Sequence, residues 1–329
     1  MKKKILLAAM LALSLCISAC SIEKVSGSKR GDDNSASQKV EHSKQVESSS
    51  QSVEPKTENE KNIKKMEYVI SSDDSAEIND SFGALILYSD GNLYFNSIGD
   101  SVELIDTDVK DFSYDMHQFY LLKENGDLME SDDLRHPFEF FYHRDDIESV
   151  SNFVLTLSDG SLLFYNFDDD SWNPININAA YVDAHYSGAG IIDANGVLWY
   201  FDITNKELKK IAENVINCSF SPRNKVHYSN DLWYVTKDHT MHVYTMHIFG
   251  KEFWEYVHNG SFPKDVEAVS GSMGAYLAKK VNGHIVSGSI SREEVENIDI
   301  FGQYMDVDMA HYAVMDNNGD FNFGILCPN

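Results

Sequence analysis

From residue 84 onward the chain alternates short apolar runs with compact polar turns. The first copy reads Ala84-Leu85-Ile86-Leu87-Tyr88, then Ser89-Asp90-Gly91-Asn92, then Leu93-Tyr94-Phe95. Later copies turn at Asn125-Gly126, Asp159-Gly160, Asn195-Gly196, Asp238-His239, Asn282-Gly283 and Asn318-Gly319. Runs rich in β-branched and aromatic residues on both sides of an Asn-Gly or Asp-Gly dipeptide predict β-hairpins. The dipeptides predict two-residue type I′ turns, which need positive φ at both central positions.

The second turn residues fall at 91, 126, 160, 196, 239, 283 and 319, giving spacings of 35, 34, 36, 43, 44 and 36. An all-β unit repeating at thirty to forty-odd residues predicts a propeller or a solenoid of sheets. Apolar pairs three apart precede most hairpins: Val109/Phe112, Ile147/Val150, Val215/Cys218, Val266/Val269 and Tyr304/Val307. They read as short inner strands near the repeat axis, with Val102-Glu103-Leu104-Ile105 as an outer strand. The only helical candidate, a short one, is Arg292 to Ile298. Closing such a ring requires its first and last units to join. Met66-Glu67-Tyr68-Val69-Ile70 has the β-forming content to be donated to the last unit, which ends at Ile325-Leu326.

The unit of an apolar pair, a strand, an Asp-Gly or Asn-Gly turn and a Leu-aromatic strand resembles the regulator-of-chromosome-condensation repeat, over roughly residues 76–326. The resemblance implies a seven-bladed β-propeller. It rests on repeat length, repeat number and turn position. The family's His before the second strand is matched only by His311, with Gly83 at that place in the first copy. Trp199 roughly fills its Trp place, with Tyr94, Phe164 and Phe321 nearby in other copies. Members share a fold and not an activity, so no catalytic residue carries over.

The first residues carry an address. Lys2, Lys3 and Lys4 precede an apolar run from Ile5 to Ile17. It is shorter than the ~20 residues of a membrane-spanning helix, and this is the form of a secretory signal. Ile17-Ser18-Ala19-Cys20 resembles the lipobox of bacterial lipoproteins, with Ile17 where Leu is usual. That resemblance implies lipidation of Cys20 (diacylglyceryl and palmitate-type chains) and cleavage before it. Residues 21–65 hold ten Ser, nine Lys+Arg and eight Asp+Glu, without a period of 2 or 3.6. They read as a disordered tether with a root-mean-square span of about 35–40 Å. The organisation expected is a signal peptide over 1–19, lipidated Cys20 and tether over 20–65, and a β-propeller domain over 66–329.

Composition narrows the partners. The chain has 329 residues and a formal net charge of −25. Residues 66–329 hold 15 basic and 44 acidic side chains. Such a surface excludes nucleic acid and favours a partner of basic character. Four Cys are too few for a disulfide framework, and Cys218 reads as buried core; a Cys218–Cys327 disulfide suits the compartment but is not required.

Candidate chemistry is sparse. Asp316-Asn317-Asn318-Gly319-Asp320 begins like a calcium loop but lacks its Gly and closing Glu, and reads as a turn. Asp168-Asp169-Asp170 has no ligand spacing. His239, His242 and His247 need not converge, because successive strand residues face opposite ways. Neither HExxH nor a nucleophile elbow occurs, and Ser287-Gly288-Ser289 lacks that context. No metal, cofactor or catalytic residue is assigned. Two aromatic connections, Phe138, Phe140, Phe141 and Tyr142 and then Phe253, Trp254 and Tyr256, are candidates for partner contact, or for outer strands packed between units. The sequence therefore predicts a non-catalytic, lipid-anchored propeller on the extracytoplasmic side of the cell membrane that binds a protein or peptide. A surface enzyme acting on glycan or peptide and a glycan-binding module are the alternatives. Buried convergent carboxylates with raised pKa values would mark the enzyme; coplanar exposed aromatics would mark the glycan binder.

Overall fold

A computed structural model describes residues 62–326 apart from 72–80, 98–101, 116–117, 133, 135, 223–228, 250–251, 258–261, 273, 291 and 309–310. Cys20, the signal segment, the tether as far as Lys61 and Cys327 lie outside the described residues. Every regular element among the described residues is a β-strand, and neighbouring strands pair antiparallel.

The first sheet is β1 (Ile63–Ser71), β2 (Ser81–Tyr88), β3 (Leu93–Ser97) and β4 (Val102–Asp106). The second is β5 (Val109–Asp115), β6 (Gln118–Lys123), β7 (Asp127–Ser131) and β8 (Glu139–His143). A seven-stranded sheet follows: β9 (Ile147–Ser151), β10 (Val154–Leu157), β11 (Ser161–Asn166), β12 (Ser171–His185), β13 (Gly188–Asp193), β14 (Leu198–Asp202) and β15 (Glu207–Ala212). Next come β16 (Val215–Pro222), β17 (Ser229–Thr236), β18 (Met241–Phe249) and β19 (Glu252–Val257). The last sheet has six strands: β20 (Val266–Ser272), β21 (Ala275–Lys280), β22 (His284–Ser289), β23 (Arg292–Asp308), β24 (His311–Asp316) and β25 (Phe321–Ile325).

Each sheet is a meander in sequence order, as the hairpin pattern predicts. The expectation of one separate sheet per repeat is corrected: five sheets form, because two strands serve two repeats. In β12 residues 171–178 pair with β11 and 179–185 with β13. In β23 residues 292–301 pair with β22 and 302–308 with β24. At three of the four other junctions the chain breaks through a left-handed residue, Asp108 (φ 55), Asn214 (φ 58) or Asp265 (φ 59); between β8 and β9 it breaks without one. No residue of 171–185 or 292–308 takes that conformation. The same continuity removes the helix expected over Arg292 to Ile298, which is the start of β23.

The hairpin turns sit where expected but are of another type. Positive φ occurs at Gly91, Gly126, Gly160, Gly196, His239, Gly283 and Gly319, and not at the Asn or Asp before each. Gly91 N–H donates to Tyr88 C=O at 3.0 Å, and Tyr88 N–H to Asn92 C=O at 3.0 Å. This is a three-residue loop, a type I turn closed by a left-handed residue. The Asn/Asp preference has a different cause from the one expected. Asp90, Asn125, Asp159 and Asn282 each accept the backbone N–H two residues on, at 2.9–3.1 Å. In the fourth and seventh turns the acceptor is the strand-ending Asp193 or Asp316, whose Oδ1 takes two turn N–H groups. The calcium-like run at 316–320 is thus a turn held by its own carboxylate.

Apolar burial is divided among seven clusters, five between one sheet and the next and two between the halves of the seven- and six-stranded sheets. Val69, Leu85, Phe112 and Leu121 join the β1 and β5 meanders; Trp233, Val243, Val269 and Tyr276 join those of β16 and β20. Complete burial of such side chains contributes roughly 1.5–3 kcal/mol each. Both faces of each sheet are covered, which suits the near-continuous apolar character of the middle strands, such as Leu85-Ile86-Leu87.

Met66–Ile70 does form a strand, but not in the last sheet. It lies in β1, the first strand of the first sheet, paired with β2. Its neighbour on the other side is the last sheet, reached through side chains. Met66, Tyr68 and Ile86 pack with Ala313 and Met315, and Tyr304 Oη donates to Ile63 C=O at 2.6 Å. β1 begins at Ile63, so Lys64 and Lys65, read as tether, belong to the strand.

Candidate functional site: a central cavity and an aromatic flank

Strands β1, β5, β9, β12, β16, β20 and β23 line a shared cavity of about 810 Å³. Adjacent strands of this lining do not pair with one another in a sheet, so their inward N–H groups need other acceptors. Side chains of the neighbouring strand supply them, two each on β5 and β16, where Asp111 accepts Val150 N–H and Asn217 accepts Val269 N–H besides the bonds that follow. Glu67 accepts Tyr114 N–H at 2.9 Å, and Ser113 accepts Asn152 N–H at 3.0 Å. Ser151 accepts Ala184 N–H at 2.8 Å, and Asp183 accepts Phe220 N–H at 2.8 Å. Ser219 accepts Gly271 N–H at 3.1 Å, and Ser270 accepts Val307 N–H at 3.1 Å. Asp306 accepts Tyr68 N–H at 2.8 Å, returning to β1. Each strand is thereby bonded to the next, and the last to the first.

Charged groups in this girdle are held tightly. Lys65 Nζ lies 3.1 Å from Glu67 and 3.2 Å from Asp111, and bonds Phe112 C=O. Burial alone would lower the Lys65 pKa, but the attraction of Asp111 and Glu67 outweighs it and holds the ammonium above the ordinary lysine range. Burial raises the carboxyls of Glu67 and Asp183, against the pull of Lys65 on the first and the Phe220 N–H on the second. Asp306 is pushed up to about 8 by burial, with the Glu67 charge adding to the effect. Asp306 Oδ1 also accepts the Ser270 hydroxyl at 2.8 Å.

These are the raised carboxylates named above as the mark of an enzyme, and each is bonded to its neighbours, Asp183 through Oδ2 to Phe220 N–H. Asp306 uses both on Tyr68 and Ser270; Glu67 uses one on Tyr114 and one on Lys65. A general acid or base needs an oxygen within reach of substrate; these three carboxyls each bond a backbone N–H of a neighbouring strand. Cys218, beside the cavity, is a buried free thiol whose pKa burial raises well above its usual value, with the Asp183 charge adding. Among the described residues no group of three His, Cys, Asp or Glu is placed to hold a metal ion. His239 bonds Val266 C=O and His242 stacks on Tyr234, so these two do not converge.

The aromatic candidates divide. Phe141 meets Tyr165 at 5.1 Å and Trp172 at 6.1 Å, and Tyr142 meets Trp172 at 5.4 Å. Both are wedged between the β5 and β9 meanders. Phe138 packs half-buried against the first core cluster. Phe140 faces outward, 63% exposed. Phe253, Trp254 and Tyr256 lie on β19, an outer strand paired with β18; their side chains are outside the described residues.

No family model matches the sequence, and no curated protein matches it. Among solved structures, the chain is similar to YCF48 bound to D1 peptide, with TM-score 0.51, 8% identity and coverage of 82% of this chain and 93% of that one. The protein has a β-propeller fold. The computationally designed Ika8 protein gives TM-score 0.49 and 10% identity over 80% of this propeller and 83% of its own chain. Prp20p from Saccharomyces cerevisiae gives 0.48 and 8% over 64% and 70%.

The girdle residues of the propeller went unnoticed in the sequence, although a signal was present. The residue after the second member of each apolar pair is Ser113, Ser151, Ser219 or Ser270. The fifth pair was read two residues late: the position matching Phe112 is Met305, and Asp306 follows it.

Proposed function

We propose that this protein is a seven-bladed propeller, lipid-anchored through Cys20 on the extracytoplasmic side of the membrane, that binds a protein or peptide partner and performs no chemistry. The blade number is supported by the ring of girdle bonds, which links β1, β5, β9, β12, β16, β20 and β23 in turn. The observation that carries the non-catalytic reading is the engagement of the cavity carboxylates by the backbone of the next strand. Binding through an outer surface is supported by the outward Phe140 and the strongly acidic composition, which suits a basic partner. YCF48, similar in fold, was solved with a peptide bound. The anchor rests on Ile17-Ser18-Ala19-Cys20.

Two experiments test this. Cys20→Ala should move the chain to the soluble fraction or leave an unprocessed precursor; normal processing and membrane retention would overturn the anchor. Capture of a basic surface protein by the full chain, weakened by Phe140→Asp, is expected. Hydrolysis of surface glycan or peptide by the purified chain, abolished by Asp183→Asn at unchanged stability, would overturn the non-catalytic reading.

A further inference from the structure

With the two halves of β12 and of β23 counted separately, six meanders have four strands and the last has three. Among the described residues, β25 pairs only with β24 and forms the edge of its sheet. Its place is that of β3, β7, β11, β14, β18 and β22, each of which is covered by a fourth strand.

Those fourth strands are guarded as sheet edges must be. β4 carries Glu103 and Asp106, β8 carries Glu139 and His143, and the first half of β12 carries Pro174. β15 has Glu207, Lys209 and Lys210; β19 has Glu252 and Glu255; the first half of β23 has Arg292, Glu293, Glu294 and Glu296. By contrast β25, Phe321-Asn322-Phe323-Gly324-Ile325, has no charge and no proline, and it pairs with β24 without a bulge. It has the chemistry of an interior strand in the position of an edge.

The edge is also rigidly presented. Phe321 and Phe323 stack at 6.3 Å and pack inward on the cluster of Met66 and Tyr68. Asp316 N–H bonds Asp320 C=O, and antiparallel alternation from that pair turns the backbone groups of Phe321, Phe323 and Ile325 away from β24.

We infer that β25 accepts an extended basic segment of a partner protein, added as a fourth antiparallel strand with apolar residues at alternate positions. This rests on the peptide-binding reading and adds a docking edge to it, separate from the Phe140 surface. Main-chain bonds to Phe321, Phe323 and Ile325 supply the register, and alternate side chains lie beside the two phenylalanines. Charge selects the occupant. A second copy brings another net −25, which opposes self-pairing, whereas a basic segment is drawn to it. Residues 50–61 of this chain hold a single apolar residue, Val53, together with Pro55, unlike any fourth strand present.

Amide hydrogen exchange on the full chain tests the site, with a synthetic peptide of alternating Lys and Val as probe and one of alternating Glu and Val as control. The amides of Phe321, Phe323 and Ile325 should exchange freely in the chain alone and slow at least tenfold with the Lys–Val peptide only. Asn322→Lys should abolish that protection without lowering the melting temperature. Protection in the peptide-free chain would overturn the inference: loss of it on dilution would assign the edge to a second copy, and persistence to residues 50–61. Equal slowing by both peptides, or by neither, would also overturn it. If a surface partner is captured while these amides stay fast in the complex, the docking site is wrong and the binding reading stands. If the Lys–Val peptide protects them but no surface partner is captured, the docking site stands and the binding reading fails.

Discussion

Asp306 closes the girdle, and its removal should open the ring at one seam. In Asp306→Ala the Tyr68 N–H loses an acceptor at 2.8 Å, and the Ser270 hydroxyl loses another at 2.8 Å. An unsatisfied buried group costs roughly 1–3 kcal/mol, so the two together cost about 2–6 kcal/mol. At a urea slope of roughly 3 kcal/mol per M, the midpoint falls by about 1–2 M. Asp306→Asn keeps an oxygen for Tyr68 and should cost far less near neutral pH. The pH dependence separates a girdle role from simple packing. With its folded pKa at about 8, Asp306 retains a proton in the native state after the unfolded chain has lost it. The stabilisation from this group is complete below the ordinary carboxyl range and is lost as pH rises from about 4 through 8. Asp306→Asn cannot ionise and should lack that decline, becoming more stable than the parent at pH 9. Asp306→Ala should accordingly cost less at pH 9 than at pH 5. Urea unfolding followed by tryptophan fluorescence at both pH values reads all three chains. A loss below about 0.5 kcal/mol for Asp306→Ala, or an Asp306→Asn effect identical at pH 5 and 9, would refute the reasoning.

Turn glycines should differ by their surroundings. An added Cβ at Gly126 (φ +86) meets Arg144 C=O at 2.5 Å, whereas at Gly319 (φ +87) it meets nothing within 4 Å. Gly319→Ala should cost about 1–2 kcal/mol from backbone strain alone, and Gly126→Ala measurably more in the same denaturation assay. Gly271→Ala would drive a Cβ to 2.3 Å from the buried Trp233 ring, and a loss of roughly 1–3 kcal/mol is expected. Cys218, buried with a raised thiol pKa, should react with a thiol reagent at pH 8 only as fast as the protein unfolds. Rapid labelling of the native chain would show the cavity wall to be open there.

Much of the propeller was legible in the sequence because its determinants are local. A left-handed residue is needed once per hairpin, so Gly91, Gly126, Gly160, Gly196, Gly283 and Gly319 mark the turns directly. The short apolar runs beside them then specify strands, and Val102–Asp106 emerged as the outer strand the sequence suggested. Turn type differs from expectation because the same dipeptide serves two loop lengths, which the backbone bonds of Tyr88 with Gly91 and Asn92 distinguish. The candidate aromatics were likewise ambiguous. Phe140 and Phe141 are adjacent and chemically identical, and only the neighbouring meander, through Tyr165 and Trp172, makes one core and the other surface. The girdle belongs wholly to tertiary structure. A serine such as Ser151 is unremarkable until Ala184, 33 residues on, presents an N–H with no sheet partner. Closure is the extreme case: Asp306 and Tyr68 are 238 residues apart, and only the curvature accumulated over every intervening sheet brings the last strand against the first.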